Sequence, residues 1–234
     1  MKLQEFSFEC DGVSHQGQTV HPGGGDRPAV LVAHDWSGLN DFAVNAAKKM
    51  AERGYVGCAV DLFGEGKTGS TTEEKMGLIT PLMKDRGLLQ QRLLTALEKM
   101  QGLDGVDGDK IAALGFCFGG LCVLDLARSG VELKGALSFH GLLDPSGLTA
   151  KPIKTPVMAL HGHEDPMVDP EKVLAFEKEM TAAGADWQLH VYGNTLHAFT
   201  NPQANDHQLG TVYNEKTAGR AWKLGFQFLD EVLF

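Results

Sequence analysis

Apolar residues in this chain fall mostly into short continuous runs bounded by glycine or polar turn residues. Ala29–Ala33, Tyr55–Val60, Ile111–Phe116, Gly135–Phe139 and Pro156–Leu160 have this form, as strands buried on both faces of a parallel sheet do. Between them apolar residues recur every three or four positions. Phe42, Ala46, Ala47 and Met50 share one helix face, with Asp41 as cap and Gly54 as stop. Leu89, Leu93, Leu97 and Met100 share another, on a helix over Arg86 to Met100. Leu121 to Arg128 reads as a helix after the Ile111 strand. Asp169-Pro170-Glu171 is an N-cap with proline at N1, opening a helix to about Ala183. Trp187 to Tyr192 is the last strand expected, and His207 to Leu233 the last helix. Pro81 is expected to break any longer helix through Glu73 to Lys84. Near the start, Phe6 and Phe8 alternate with polar residues ahead of Asp11-Gly12, which predicts an antiparallel edge hairpin.

Strands and helices therefore alternate, which predicts an α/β fold with a mostly parallel sheet flanked by helices on both faces. No repeat, low-complexity tract or linker interrupts the pattern, so one domain over residues 1–234 is expected. The 43% hydrophobic content is ordinary for a globular protein and supplies a full core.

A net charge of −9 argues against nucleic acid or an anionic membrane surface as partner. It does not favour an acidic substrate unless positive charge is concentrated in the pocket. Residues 1–6 carry an acid early and have no apolar signal core, so no secretory signal is expected. The longest apolar run, Ile111 to Leu124, is too short for a membrane span and contains three glycines. Cys10, Cys58, Cys117 and Cys122 lack metal-ligand spacing and read as reduced thiols of a cytoplasmic protein. Neither a metal nor a cofactor is expected. His161, His163 and Asp165 alternate on one loop, but the sequence places no fourth ligand.

The chemistry is concentrated at Gly115-Phe116-Cys117-Phe118-Gly119-Gly120. A strand enters this stretch and a helix leaves it. Its Gly-x-Cys-x-Gly core has the spacing of a nucleophile elbow, with cysteine where serine is usual. Such a turn crowds backbone against backbone, hence the glycines, and it leaves the nucleophile at a helix N-terminus, where negative charge is favoured. An elbow nucleophile needs a base and an acid to orient that base. Candidates follow in the expected order, on loops after successive strands: His161-Gly162-His163-Glu164-Asp165-Pro166 and Gly193-Asn194-Thr195-Leu196-His197-Ala198-Phe199. Cys117 is assigned as nucleophile, Asp165 as orienting acid and His197 as base, with His161 and His163 as rival histidines. The same template places the oxyanion hole at the Phe118 N–H and at a donor in the loop His34-Asp35-Trp36-Ser37-Gly38-Leu39, for which Trp36 N–H is the choice.

Together, the cysteine elbow, the His-Gly-x-x-Asp-Pro loop, the terminal His-x-Phe and the His-Asp-Trp-x-Gly-Leu-Asn loop resemble the dienelactone hydrolase (carboxymethylenebutenolidase) family of α/β-hydrolases. The resemblance runs from about Ala29 to the last helix. It implies hydrolysis of an ester or lactone through a thioester acyl-enzyme. A small-molecule substrate and a monomer or small homo-oligomer are expected. Two positions depart from the family. Asp35 stands where better-known members have a glutamate that meets the resting thiol. Asn201 stands where they have one of two arginines that hold the substrate carboxylate. Arg86 is a loose match to the other arginine and otherwise a solvated charge at a helix start. Asp35 either modulates the thiol or bonds its own loop. His34 is expected to line the pocket, Trp36, Phe118 and Phe199 are pocket walls or core, and Phe199 is carried with Asp35 and Arg86 as a candidate substrate contact. Acyl transfer on the same elbow, and a non-catalytic redox-sensing thiol, are the competing readings.

Overall fold

A computed structural model describes all 234 residues. The chain folds as two compact units, Met1–Leu114 and Gly115–Phe234.

The first unit opens with the hairpin β1 (Lys2–Cys10) and β2 (Val13–His21). Asp11 and Gly12 turn it with φ of 52° and 70°, the left-handed pair that a two-residue hairpin requires. β3 (Arg27–Ala33) and β4 (Val56–Val60) pair in parallel, and β2 adds to β4 antiparallel. Every residue of β4 is buried. α1 (Asp41–Glu52) lies directly on β4, for a Cβ on Gly57 would sit 2.1 Å from the Ala47 carbonyl oxygen. The α1 cap is Asn40, whose Oδ1 accepts from the Phe42 and Ala43 N–H groups, and the predicted cap Asp41 begins the helix itself. β5 (Val106–Phe116) starts five residues before the predicted strand and completes the order β1-β2-β4-β3-β5.

α2 (Thr72–Lys84) overturns the break expected at Pro81. A capping box of Thr71 and Glu74 fixes its start, and the Asp85 N–H donates to the Pro81 carbonyl at 2.9 Å beyond the proline. Proline removes one ladder bond, while Ile79 and Leu82 on either side of it are the buried residues that hold the helix down. α3 (Arg86–Gln101) follows at once and buries Leu89, Leu93, Leu97 and Met100 as expected.

The second unit begins at the end of β5 and continues through α4 (Phe118–Arg128), β6 (Gly135–Phe139), β7 (Val157–Gly162), α5 (Pro170–Ala182) and β8 (Trp187–Tyr192). β6, β7 and β8 pair in parallel. β6 and β7 are buried along their whole length. The helix expected from His207 begins only at Glu215, as α6 (Glu215–Leu233). Asp206 Oδ1 captures the Gln208 and Leu209 N–H groups, Gly210 takes a φ of 74°, and a short ribbon of β9 (Asn205–Asp206) and β10 (Thr211–Val212) forms instead. The fold is α/β with a mostly parallel sheet, as the alternating pattern predicts.

Candidate active site

The elbow forms as the glycine spacing requires. Cys117 takes φ 54° and ψ −117°, a conformation unusual for a residue with a side chain. A Cβ on Gly115 would lie 2.0 Å from the Gly119 carbonyl oxygen, so only glycine fits there. The Cys117 N–H donates to the Phe139 carbonyl at 3.1 Å, and the Cys117 carbonyl accepts from Leu121 at 3.2 Å. Phe116 and Phe139 stack behind the turn, with Trp222 tilted against both. Cys117 remains partly exposed at the N-terminus of α4, whereas Cys10, Cys58 and Cys122 are buried. Burial pushes the Cys58 thiol far up, which leaves it inert. Phe118 is the first residue of α4, and its ring is fully buried.

The turn after β7 carries Asp165, which is 3% exposed. Its N–H donates to Gly162, and its Oδ1 accepts from the Met167 N–H at 2.8 Å. Oδ2 is thereby aimed at the next loop, where it meets His197 Nδ1 at 2.6 Å. The loops approach closely because Gly162 lacks a side chain: a Cβ there would be 2.5 Å from the Thr195 carbonyl oxygen. The backbone of His197 is stapled on the far side. Its N–H donates to Gly210, and its carbonyl accepts from Val212 at 2.9 Å. This staple is why residues 205–212 form a ribbon rather than a helix.

Three buried histidines gather here, and their surroundings separate them. Burial lowers the pKa of His161, and burial with the charge of His197 holds His140 well below its ordinary value. Burial also opposes the charged form of His197, but there the charge on Cys117 and the bond to Asp165 outweigh it and raise the ring to about 10. His197 Nε2 is buried with no partner at hydrogen-bond geometry, while the Cys117 sulfur acts on it electrostatically. His163 is exposed on the same loop, and its N–H donates to Tyr192. Of the rival histidines, only His197 combines a carboxylate on one nitrogen with an unpartnered second nitrogen and a sulfur in electrostatic reach.

Phe199 is fully buried with its ring edge-on to His140 and Tyr192. Asp35, Trp36 and Arg86 belong to the first unit. Asp35 Oδ1 accepts from the Ser37 N–H at 2.8 Å, so this carboxylate does bond its own loop. The Lys75 ammonium lies 5.3 Å from the centre of the Trp36 ring. His34 is buried, with Nδ1 on the Asp35 carbonyl and Nε2 accepting from Leu62. Arg86 is 7% exposed, which corrects its reading as a solvated charge: it lies on the same buried face of α3 as Leu89 and Leu93.

Residues 16–233 match the sequence profile of the dienelactone hydrolase family. The chain belongs to the dienelactone hydrolase family. It is 29% identical over 98% of its length to a putative carboxymethylenebutenolidase of Aquifex aeolicus, covering 99% of that protein. A solved structure named m3DLH is 34% identical with a TM-score of 0.92, over 100% of this chain and 99% of that one. A dienelactone hydrolase-like promiscuous phosphotriesterase, P91, from metagenomic libraries is 29% identical with a TM-score of 0.91, over the same shares. The fold is thus that of the α/β-hydrolases, and the protein is a dienelactone hydrolase-like hydrolase.

Sequence reasoning missed His140 and Thr200. His140 is buried just after β6, and its Nε2 lies 2.7 Å from Thr200 Oγ1. Nothing in the local sequence separates this histidine from any other that follows an apolar strand.

Proposed function

We propose that this protein hydrolyses carboxylic esters or enol lactones with Cys117 as nucleophile, His197 as base and Asp165 as orienting acid. The observation that carries the reading is His197, bound to Asp165 through Nδ1 with Nε2 buried and unpartnered, and with its pKa raised by the charge of Cys117. The raised imidazole is the acceptor for the Cys117 thiol proton as the sulfur attacks. The thiolate adds to the acyl carbon, and the carbonyl oxygen takes the negative charge. The Phe118 N–H holds that oxyanion. As the C–O bond breaks, the imidazolium gives its proton to the departing alkoxide or enolate. A thioester remains on Cys117. Water then attacks it while His197 takes a proton from the water, and the carboxylate product leaves as the thiolate returns.

A thiolate is a better leaving group than an amine anion, so an amide adduct tends to collapse backwards. Esters, enol lactones and thioesters are therefore the substrates, and peptides are not. A second reading is favoured by the relative described as a promiscuous phosphotriesterase: the same thiolate would attack phosphorus in a triester. The profile match from 16 to 233 supports reading the chain as one functional domain. No helix is long and apolar enough to cross a membrane.

Turnover of p-nitrophenyl acetate tests the reading. Wild-type protein gives a burst followed by steady hydrolysis, and Cys117→Ala and His197→Ala each lose about 10³-fold or more in kcat. Undiminished turnover in Cys117→Ala ends the thiol mechanism. A covalent adduct on Cys117 without turnover favours the redox-sensing alternative instead.

A further inference from the structure

Phe139 ends β6, and His140 follows it at a point where all three limbs of the site meet. The Phe139 carbonyl accepts from the Cys117 N–H at 3.1 Å. The His140 N–H donates to the Leu160 carbonyl at 2.8 Å, on the strand that leads to Asp165. The His140 ring lies under the His197 turn. It shares a 2.7 Å hydrogen bond with the Thr200 hydroxyl and packs edge-on to His197, with centroids 5.3 Å apart at 67°. Phe199 closes its other side at 5.0 Å and 77°.

We propose that His140 is a positioning residue that registers His197 against Cys117 and Asp165 through its hydrogen bond to Thr200. The inference rests on the triad reading given above. Its backbone is the first support. His140 has φ 37°, a region where few residues with a Cβ sit, and such strain persists only where the surroundings impose it. Here the Leu160 bond fixes the peptide and the Thr200 bond fixes the ring. Chemistry is the second support. Packing alone would be served by phenylalanine, whose ring has no nitrogen to bond the Thr200 hydroxyl as His140 Nε2 does. Burial and the neighbouring His197 charge keep the ring neutral, so it lies against an imidazolium without like-charge repulsion. His140 is 1% exposed and Thr200 4% exposed, so neither is available to contact substrate.

Steady-state kinetics on p-nitrophenyl acetate test this, with Thr200→Val, Thr200→Ser, His140→Phe and the double variant His140→Phe/Thr200→Val. Misplacing a base by about an ångström typically costs about 10–100-fold in rate. Thr200→Val and His140→Phe are each expected to lose that much kcat, with KM held within about twofold. Thr200→Ser keeps the hydroxyl and is expected to retain kcat. The double variant is expected to be no slower than the slower single variant, because both remove one bond. Wild-type kcat in Thr200→Val beside an inactive His197→Ala overturns the positioning role and leaves the triad standing. So does a loss confined to KM, or a loss that Thr200→Ser shares in full. Wild-type turnover in His197→Ala overturns the triad itself and this inference with it. If His140→Phe does not fold, the Thr200 pair decides the matter alone.

Discussion

At the residue scale the site is set by what surrounds each histidine. His140, His161 and His197 are all buried, yet only His197 is raised, because Cys117 and Asp165 favour its charged form. A group raised in the folded state stabilises the fold fully below its unfolded value of 6.5, and this contribution is lost as pH climbs through about 10. Cys117→Ala removes the largest raising influence. NMR of the His197 ring is therefore expected to show a lower titration midpoint in that variant, with the stability contribution ending at a lower pH. An unchanged midpoint would separate His197 from Cys117. The steric argument at Gly115 gives a second expectation. Gly115→Ala places a Cβ against backbone that cannot swing aside, a clash expected to cost about 1–3 kcal/mol. Thermal unfolding is then about 2–4 °C lower per kcal/mol for a chain of this size.

At the element scale the short apolar runs foretold the strands well, because parallel strands buried on both faces leave no polar register to misread. The Asp165 loop was legible for the same reason, since it follows β7; the His197 loop follows β8, a half-buried edge strand, and was legible from its place in chain order. Two elements were not legible. α2 crosses Pro81 because Ile79 and Leu82 anchor it, a tertiary effect that no local rule carries. Residues 207–214 leave the helix because Asp206 and Gly210 turn the chain back so that Thr211 pairs beside His197. His140 was invisible because its importance lies in partners 57 and 60 residues away. One element contact carries a stability prediction. Arg128 on α4 bonds Asp125 at 3.1 Å and Glu179 of α5 at 2.6 Å, with Asp125 fully buried. Arg128→Met leaves that buried charge without this cation, and denaturant unfolding is expected to show a loss of about 3–5 kcal/mol. A loss below about 1 kcal/mol would place the α4–α5 contact in its apolar packing instead.

At the scale of the whole molecule, composition restricts the substrate where motifs do not. The net charge of −9 repels approaching anions over distances up to about a Debye length, and added salt screens this repulsion. For a carboxylate-bearing ester, kcat/KM is therefore expected to rise with ionic strength, while a neutral ester of the same leaving group stays flat. A fall with salt for the anionic ester would reveal a concentrated positive charge at the mouth of the site. The departure at Asn201 agrees with the first outcome, since an arginine expected by resemblance is missing there.

The central claim is an acyl group carried on Cys117. Rapid quenching during turnover of p-nitrophenyl acetate, followed by peptide mass spectrometry, tests it directly. The account predicts one acetyl group on the peptide containing Cys117, formed within the burst, discharged on standing and absent from Cys117→Ala. Steady hydrolysis with Cys117 unmodified, or an acetyl group that turns over on another residue, would contradict it.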